Sequence, residues 1–209
     1  HLIVSVGEST YLALPRGGVT PKHIQICPIE CVPSRVHLST LAKIEMIKFQ
    51  EAVEAMFHQT GAVSLRYERA LRTKGSRDHM QMHMIPLALD TIQLSKSFNV
   101  FLQKASHYKL KFHEIQDDQA IDEVVVSMEG GPYQEYFYIE IPIAAGTSSA
   151  SSEGGGRFPM QFGLEVTAEI LGKPERGHWK HCLLPEEQEA ALCDEFRTQL
   201  APFDFTLST

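Results

Sequence analysis

The stretch His79-Met80-Gln81-Met82-His83 alternates polar side chains with methionines, and this alternation decides the fold prediction. Residues at positions i, i+2 and i+4 of a β-strand share one face. His79, Gln81 and His83 therefore share a face of a predicted strand 79–86, and the methionines face a core. Burying three polar side chains without partners would be costly, which favours a face that opens on a cleft. The ordinary outward-facing polar residues of an antiparallel sheet explain the pattern equally well.

The composition limits what the chain can bind. Its 209 residues carry a net charge of −7 and are 43% hydrophobic, which allows one large domain or two small ones. Nucleic-acid binding would therefore need a local basic patch. The sequence has no apolar run of about 18 residues, so we expect no membrane partner. The four cysteines show no disulfide spacing, which predicts a reducing compartment. The start within a predicted strand suggests a piece of a longer protein.

Hydrophobic periodicity predicts an α+β fold in two parts, residues 1–108 and 109–209. The first part is a mostly antiparallel sheet with helices, and the second is a smaller α+β module. The predicted strands of the first part are 1–6, 10–14, 23–29, 62–68 and 79–86, and its helices are 38–59 and 90–108. In the second part, the predicted strands are 109–115, 123–128 and 136–143, and the helices are 158–171 and 185–200. The Ser, Gly and Ala-rich segment 144–156 is predicted to be a flexible loop.

A cluster of cations precedes the His79 strand in this acidic chain. Its members are Arg66, Arg69, Arg72, Lys74 and Arg77. Such a cluster can recruit phosphates, and arginine offers bidentate geometry. The alternative is a solvated loop whose charges serve solubility.

The order of these elements resembles the histidine-triad fold: a hairpin, a strand with Pro28-Ile29-Glu30, a long helix, a strand and then the His79 strand. The resemblance implies that a nucleotide phosphate binds against this strand. In catalytic members the middle histidine attacks phosphorus, and Gln81 stands at that position here. An amide donates and accepts hydrogen bonds but has no useful nucleophilic lone pair. We therefore predict phosphate binding without covalent catalysis, and we name no catalytic residue.

Two blocks of sequence resemble the C-terminal region of the CwfJ family across nearly the whole chain. The first block contains Tyr11-Leu12-Ala13-Leu14-Pro15, Tyr67-Glu68-Arg69 and the His79 strand. The second contains Arg157-Phe158-Pro159-Met160-Gln161-Phe162-Gly163, Trp179 and the ending Pro202-Phe203-Asp204-Phe205-Thr206. The chain departs from the family pattern at Ala70, where relatives often have Asn, and at Leu164, where many have Arg nearby.

This resemblance implies a nuclear protein associated with late spliceosomes and with intron-lariat turnover. The implied partners are spliceosomal proteins, the lariat-debranching machinery, and intron or branched RNA. The expected function is a non-catalytic RNA- and protein-binding module. We expect the phosphate or RNA to contact His79, Gln81, His83, Arg66, Arg69, Lys74 and Arg77. Two alternatives remain: a residual nucleotide hydrolase or nucleotidyl transferase that uses His79 or His83, and a pure protein scaffold.

The resemblance also implies a zinc site. Family members commonly have a Cys-x-x-Cys pair just upstream of the first strand, and zinc-bearing histidine-triad proteins complete such a site with residues that correspond to Cys31 and His79. These two residues would bind zinc only together with an upstream pair that this chain does not contain. The alternative is that Cys31 is a small buried apolar residue.

Overall fold

The structure, a computed structural model, describes residues 1–71, 78–89, 91–115, 120–143, 146–153 and 158–207. These residues form one eight-stranded sheet and five α-helices, which confirms the α+β class. The strands are β1 (Ile3–Val6), β2 (Thr10–Ala13), β3 (Ile24–Pro28), β4 (Ala62–Ala70), β5 (Met82–Ala88), β6 (Phe112–Ile115), β7 (Tyr136–Ile143) and β8 (Gly146–Glu153). The helices are α1 (Thr40–Gln59), α2 (Thr91–His107), α3 (Ile121–Ser127), α4 (Phe162–Ile170) and α5 (Glu186–Leu200).

The sheet joins the two predicted parts of the chain. Its order is β1-β2-β3-β5-β4-β7-β8-β6, and each neighbouring pair of these described strands is antiparallel. β4 from the first part pairs with β7 from the second, from Arg66 opposite Glu140 to Ala70 opposite Tyr136. The division at residue 108 therefore falls within a continuous sheet. The closer likeness to histidine-triad proteins stays a prediction.

Helix α1 covers one face of the sheet, which we call the α1 face. Ser39 caps the helix by accepting a hydrogen bond from the Ala42 amide at 3.2 Å. Gly61 ends it with a φ of +68°, a conformation that glycine adopts without strain. Apolar residues buried at helical spacing, such as Met46, Phe49 and Val53, pack on this face together with residues of α3 and α5. The aromatic tail packs back here, with the Phe205 ring 4.7 Å from that of Phe49.

Helices α2 and α4 cover the opposite face, which we call the α4 face. Its core is a cluster of aromatic rings from both parts of the chain. The Phe162 ring lies 5.2 Å from Phe137, 5.3 Å from Phe158 and 6.3 Å from Phe101. Because both faces of the sheet are covered, neighbouring residues of a central strand can both be buried, as Ser64 and Leu65 are in β4. None of the described helices has the length and apolar character needed to cross a bilayer.

Two predicted elements are wrong. Most of the predicted strand 123–128 lies in helix α3, in which Ile121 and Val125 are buried one helical turn apart. The predicted loop 144–156 contains strand β8, which pairs with β7 from Tyr136 opposite Glu153 to Ile143 opposite Gly146. Two strands pair through hydrogen bonds between their backbones, which do not require apolar side chains. A segment of low sequence complexity can therefore form a strand.

A buried acid lies on the α1 face at the centre of the sheet. Glu68 is fully buried, and its carboxylate accepts a hydrogen bond from the Arg35 amide at 2.9 Å. The Arg35 side chain turns instead to Asp122, with Nε at 2.8 Å from the carboxylate. Burial raises the pKa of Glu68 to about 7, against the opposing effect of the Arg35 charge.

Candidate functional site

The polar face predicted from the His79 stretch opens on a cleft. Strand β5 begins at Met82, so His79 and Gln81 precede it rather than lie within it. The predicted alternation nevertheless holds, because the methionines at 80, 82 and 84 are buried while His79, Gln81 and His83 are half-buried. The Met80 amide donates to the Val32 carbonyl at 2.8 Å, which keeps this stretch extended before the strand begins.

The cleft has a volume of about 300 Å³ and lies on the α4 face of the sheet. Both parts of the chain form its walls. The first part contributes Pro15, Arg16, Gly17, His23, Gln25, Tyr67, Arg69, His79, Gln81 and His83. The second contributes Phe137, Met160, Gln161, Gly163, Leu164 and Trp179. None of the lining residues that the structure describes is an aspartate or a glutamate, although the chain carries 26 acidic residues.

His23, which directly precedes β3, and His83 on β5 are neighbours, and their contact determines which ring nitrogen of each carries the hydrogen. The Val19 amide donates to His23 Nδ1 at 3.2 Å, so this nitrogen carries no hydrogen. Neutral His23 therefore carries its hydrogen on Nε2, which lies 2.9 Å from His83 Nδ1. His83 Nδ1 accepts that hydrogen bond, and the hydrogen of neutral His83 must then be on Nε2.

The pKa values of both rings keep this arrangement neutral. Burial lowers the pKa of His23 to about 3. Burial, His23 and the charge of Arg69 together hold the pKa of His83 well below its ordinary value. At neutral pH His83 thus offers an N–H donor at Nε2, and its other nitrogen is occupied by His23. Such a ring can donate a hydrogen bond to an anion, but it has no free lone pair with which to attack phosphorus.

Tyr67 on β4 holds the His83 ring in place, and the second part of the chain supports Tyr67. The two rings stack with centroids 4.3 Å apart and an angle of 14° between their planes. Gly163, in the first turn of α4, also lies against this tyrosine. A Cβ atom at position 163 would approach Tyr67 Cε2 to 2.7 Å, so only glycine fits there without displacing the ring. The orientation of His83 therefore depends on both halves of the fold.

The predicted cations divide between the two faces of the sheet. Arg69 lines the cleft, and its guanidinium donates to the Met160 carbonyl at 2.6 Å. Arg66, three residues earlier, lies on the opposite face, where it pairs with Glu140 at 2.7 Å. We therefore leave Arg66 out of the cleft. Lys74 and Arg77, like Arg72, lie outside the described residues.

The cysteines differ in burial. Cys31 is exposed, and its Sγ lies 3.9 Å from the carbonyl oxygen of Asp78, the residue before His79. The alternative of a buried apolar residue therefore does not fit Cys31. Within the described ranges, no three His, Cys, Asp or Glu side chains group closely enough to hold a metal ion. Cys182 and Cys193 are buried against backbone carbonyls, as packing residues would be.

Several cleft residues were absent from the sequence prediction. His23 and Gln25 alternate with Ile24 and Ile26, so the same pattern that identified the His79 face was present from His23 into β3. Met160, Gly163 and Trp179 belong to the second block of the family resemblance, but no local pattern placed them at the cleft, because their position depends on contacts between distant parts of the chain.

Comparison with known proteins supplies the family. A family model described as "Protein similar to CwfJ C-terminal" matches residues 1–101, and one described as "Protein similar to CwfJ C-terminus 2" matches residues 103–206. Both matched regions contribute walls of the cleft, so the site needs them together.

Curated relatives match along nearly the whole chain. CWF19-like protein 1 of Mus musculus is 31% identical over 209 residues, which are 99% of this chain and 37% of that protein. The CWF19-like protein 1 homolog of Drosophila melanogaster is 32% identical, covering 99% of this chain and 35% of its own length. Zinc finger CCCH domain-containing protein 64 of Arabidopsis thaliana is 31% identical, and the match covers 98% of this chain and 33% of that protein. The chain thus spans about a third of these relatives' length, and it belongs to the CwfJ family, of which it contains both C-terminal regions.

Proposed function

We propose that this chain is a non-catalytic module that binds RNA through its phosphates and also binds proteins, within a spliceosome-associated protein. The observation that carries the proposal is the cleft itself, whose described lining residues include Arg16, Arg69 and the three polar side chains of the His79 stretch but no carboxylate. Such a lining in a chain with a net charge of −7 is suited to an anion.

The donors of the cleft match a phosphate group. One guanidinium nitrogen of Arg69 donates to Met160, and an arginine side chain has five N–H groups, so others can donate to a ligand. His83 donates from Nε2, and Gln81 can donate from its amide. Each of these groups can hold a phosphate oxygen, while Gln81 and the protonated Nε2 of His83 cannot attack phosphorus. These groups therefore support binding without cleavage.

The proposed cellular process, location and partners follow from the family of the chain. Membership of the CwfJ family supports a splicing-related protein. Within that setting we propose a nuclear location and a part in pre-mRNA splicing, late spliceosome disassembly or intron-lariat turnover. The proposed partners are spliceosomal proteins, the lariat-debranching machinery and intron or branched RNA. We also propose that Cys31 and His79 bind zinc when an upstream cysteine pair is present.

Salt-dependent binding of single-stranded RNA tests the proposal. The 209-residue chain should raise the fluorescence anisotropy of a short labelled oligoribonucleotide, and it should bind the matching duplex more weakly. Contacts from Arg16 and Arg69 alone predict a slope of about −1.4 in log K against log salt. A steeper slope would mean that further cations, such as Lys74 and Arg77, also contact phosphates. Absence of binding at low salt, or binding independent of salt, would refute the RNA part and favour a pure protein scaffold.

A further inference from the structure

The outer wall of the cleft carries an exposed aromatic ring. Trp179 is the only tryptophan of the chain, it lines the cleft, and 36% of its surface is exposed. It begins a short 3-10 helix, Trp179–Cys182, which belongs to the second family region. Tryptophan is normally among the more buried side chains, so an exposed ring at the edge of an anion-binding cleft calls for a partner.

The backbone beneath this ring is held firmly by the loop that follows β2. Gly17 has a φ of +76°, and a Cβ atom at this position would lie 2.3 Å from the carbonyl oxygen of Trp179. Arg176 adds two hydrogen bonds to the same loop, from Nε to the Val19 carbonyl at 2.8 Å and from a terminal nitrogen to the Gly18 carbonyl at 3.0 Å. The exposed ring therefore stands on a fixed backbone, which lowers the entropy lost when a ligand binds.

The surroundings of the ring are cationic. Lys180 Nζ lies 5.8 Å from the centroid of the Trp179 ring. The exposed Arg16 also lines the cleft, and it is the neighbour in sequence of Gly17, which lies against the Trp179 backbone. The nearly parallel ring of His178 is 6.3 Å away, at an angle of 19°. Aromatic rings flanked by cations bind single-stranded nucleic acid, because a base stacks on the ring while the cations attract its phosphates.

We propose that Trp179 and Arg16 form a subsite for an unpaired nucleobase, next to the phosphate site at His79, Gln81 and His83. This inference rests on the proposed RNA-binding function and makes its ligand more specific. The ligand is a single-stranded segment with one base turned out of its stack, since bases within a duplex are stacked on each other and do not reach the ring. The subsite uses the flat face of a base, so it accepts different bases with little sequence preference.

Because Trp179 is the only tryptophan, its fluorescence reports on this subsite alone. Two probes distinguish bases from phosphates: a short oligoadenylate, and an abasic oligomer with the same phosphates and no bases. The oligoadenylate should quench the fluorescence of the 209-residue chain, and the abasic oligomer should not. With labelled probes and anisotropy, Trp179→Ala should bind oligoadenylate about 5- to 150-fold more weakly and the abasic oligomer equally well. Trp179→Phe should retain most of the affinity, because it keeps an aromatic face.

The outcomes separate this inference from the function on which it rests. If both probes bind equally well, without quenching, the phosphate site stands and the base subsite is refuted. If neither probe binds, the proposed RNA-binding function fails as well. If a phosphorylated peptide binds through Trp179 while oligoadenylate does not, the occupant is a protein and the inference is wrong. If Trp179→Ala does not fold, the affinity of Trp179→Phe and the fluorescence quenching of the unmodified chain still test whether a base binds at Trp179.

Discussion

Replacing Arg69 with glutamate should weaken binding of single-stranded RNA by about 100-fold or more. Arg69 is a half-buried cation of the cleft, and it lies close enough to His83 to lower the pKa of that ring. The substitution removes a charge-assisted donor and places a negative charge where the phosphate is expected. Arg69→Lys should cost less, about tenfold, because it keeps the charge but loses the bidentate geometry. Fluorescence anisotropy with a labelled oligoribonucleotide measures both variants.

The matched control for Arg69→Glu is Lys48→Glu. Lys48 is exposed on α1, which covers the face of the sheet opposite the cleft, so its reversal makes the same change in net charge away from the proposed site. Salt screens exposed charges that lie apart, so this variant should bind nearly as the unmodified chain does. Equal losses in the two variants would mean that overall charge, and not the cleft, governs binding. Full affinity in Arg69→Glu would place the phosphate elsewhere.

Replacing Glu68 with glutamine should flatten the dependence of stability on pH above about pH 5. Because burial raises the pKa of Glu68 from 4.5 to about 7, the folded chain holds this proton more tightly than the unfolded chain does. The resulting stabilisation is complete below pH 4.5 and is lost as the pH rises through 7. Across that whole window it amounts to about 3 kcal/mol, of which about 2 kcal/mol falls between pH 5.5 and 8. Denaturant unfolding at several pH values measures it.

The difference between the unmodified chain and Glu68→Gln isolates this group from the histidines. His23 acts in the opposite direction, because its lowered pKa makes stability fall as the pH drops below about 6.5. Glu51→Gln is the matched control, since Glu51 is exposed on α1 and the substitution removes the same charge. If the free energy of unfolding depends on pH in the same way in Glu68→Gln and Glu51→Gln, then Glu68 is ionised in the folded chain throughout the pH range measured, and the prediction is wrong.

Strand alternation predicted the part of the site that depends on local geometry. The burial of Met80, Met82 and Met84 and the common face of His79, Gln81 and His83 follow from the period of two, whatever the rest of the fold does. The same rule separates Arg66 from Arg69, which are three residues apart on β4. Residues an odd number of positions apart on a strand face opposite sides of the sheet, so Arg66 and Arg69 cannot belong to one basic cluster.

Contacts between distant parts of the chain determine the features that local sequence patterns did not predict. The run Val124-Val125-Val126 has high strand propensity, yet Val125 is buried in helix α3 because tertiary contacts outweigh propensity. The polar segment of β8 gives no hydrophobic signal, and its place in the sheet comes from backbone pairing with β6 and β7. The cleft needs Gly163 beside Tyr67, an approach between residues nearly a hundred positions apart that no local pattern encodes.

The hydrogen bonds that link Val19, His23 and His83 favour binding of a phosphate over its cleavage. Gln81 alone left open a shifted mechanism in which His83 attacks phosphorus. The hydrogen on His83 Nε2, required by the contact of its Nδ1 with His23, removes that possibility in the neutral state. Any remaining covalent route would have to use His79.

Turnover measured in the same sample as binding tests the central claim most directly. The 209-residue chain is incubated with adenylated and guanylated nucleotide substrates and with single-stranded RNA, and both the bound fraction and the products are followed. The account predicts saturable RNA binding with no products beyond those of a His79→Ala and His83→Ala double variant. Turnover that the single variant His79→Ala abolishes would contradict it and would establish the chain as a nucleotide hydrolase or transferase.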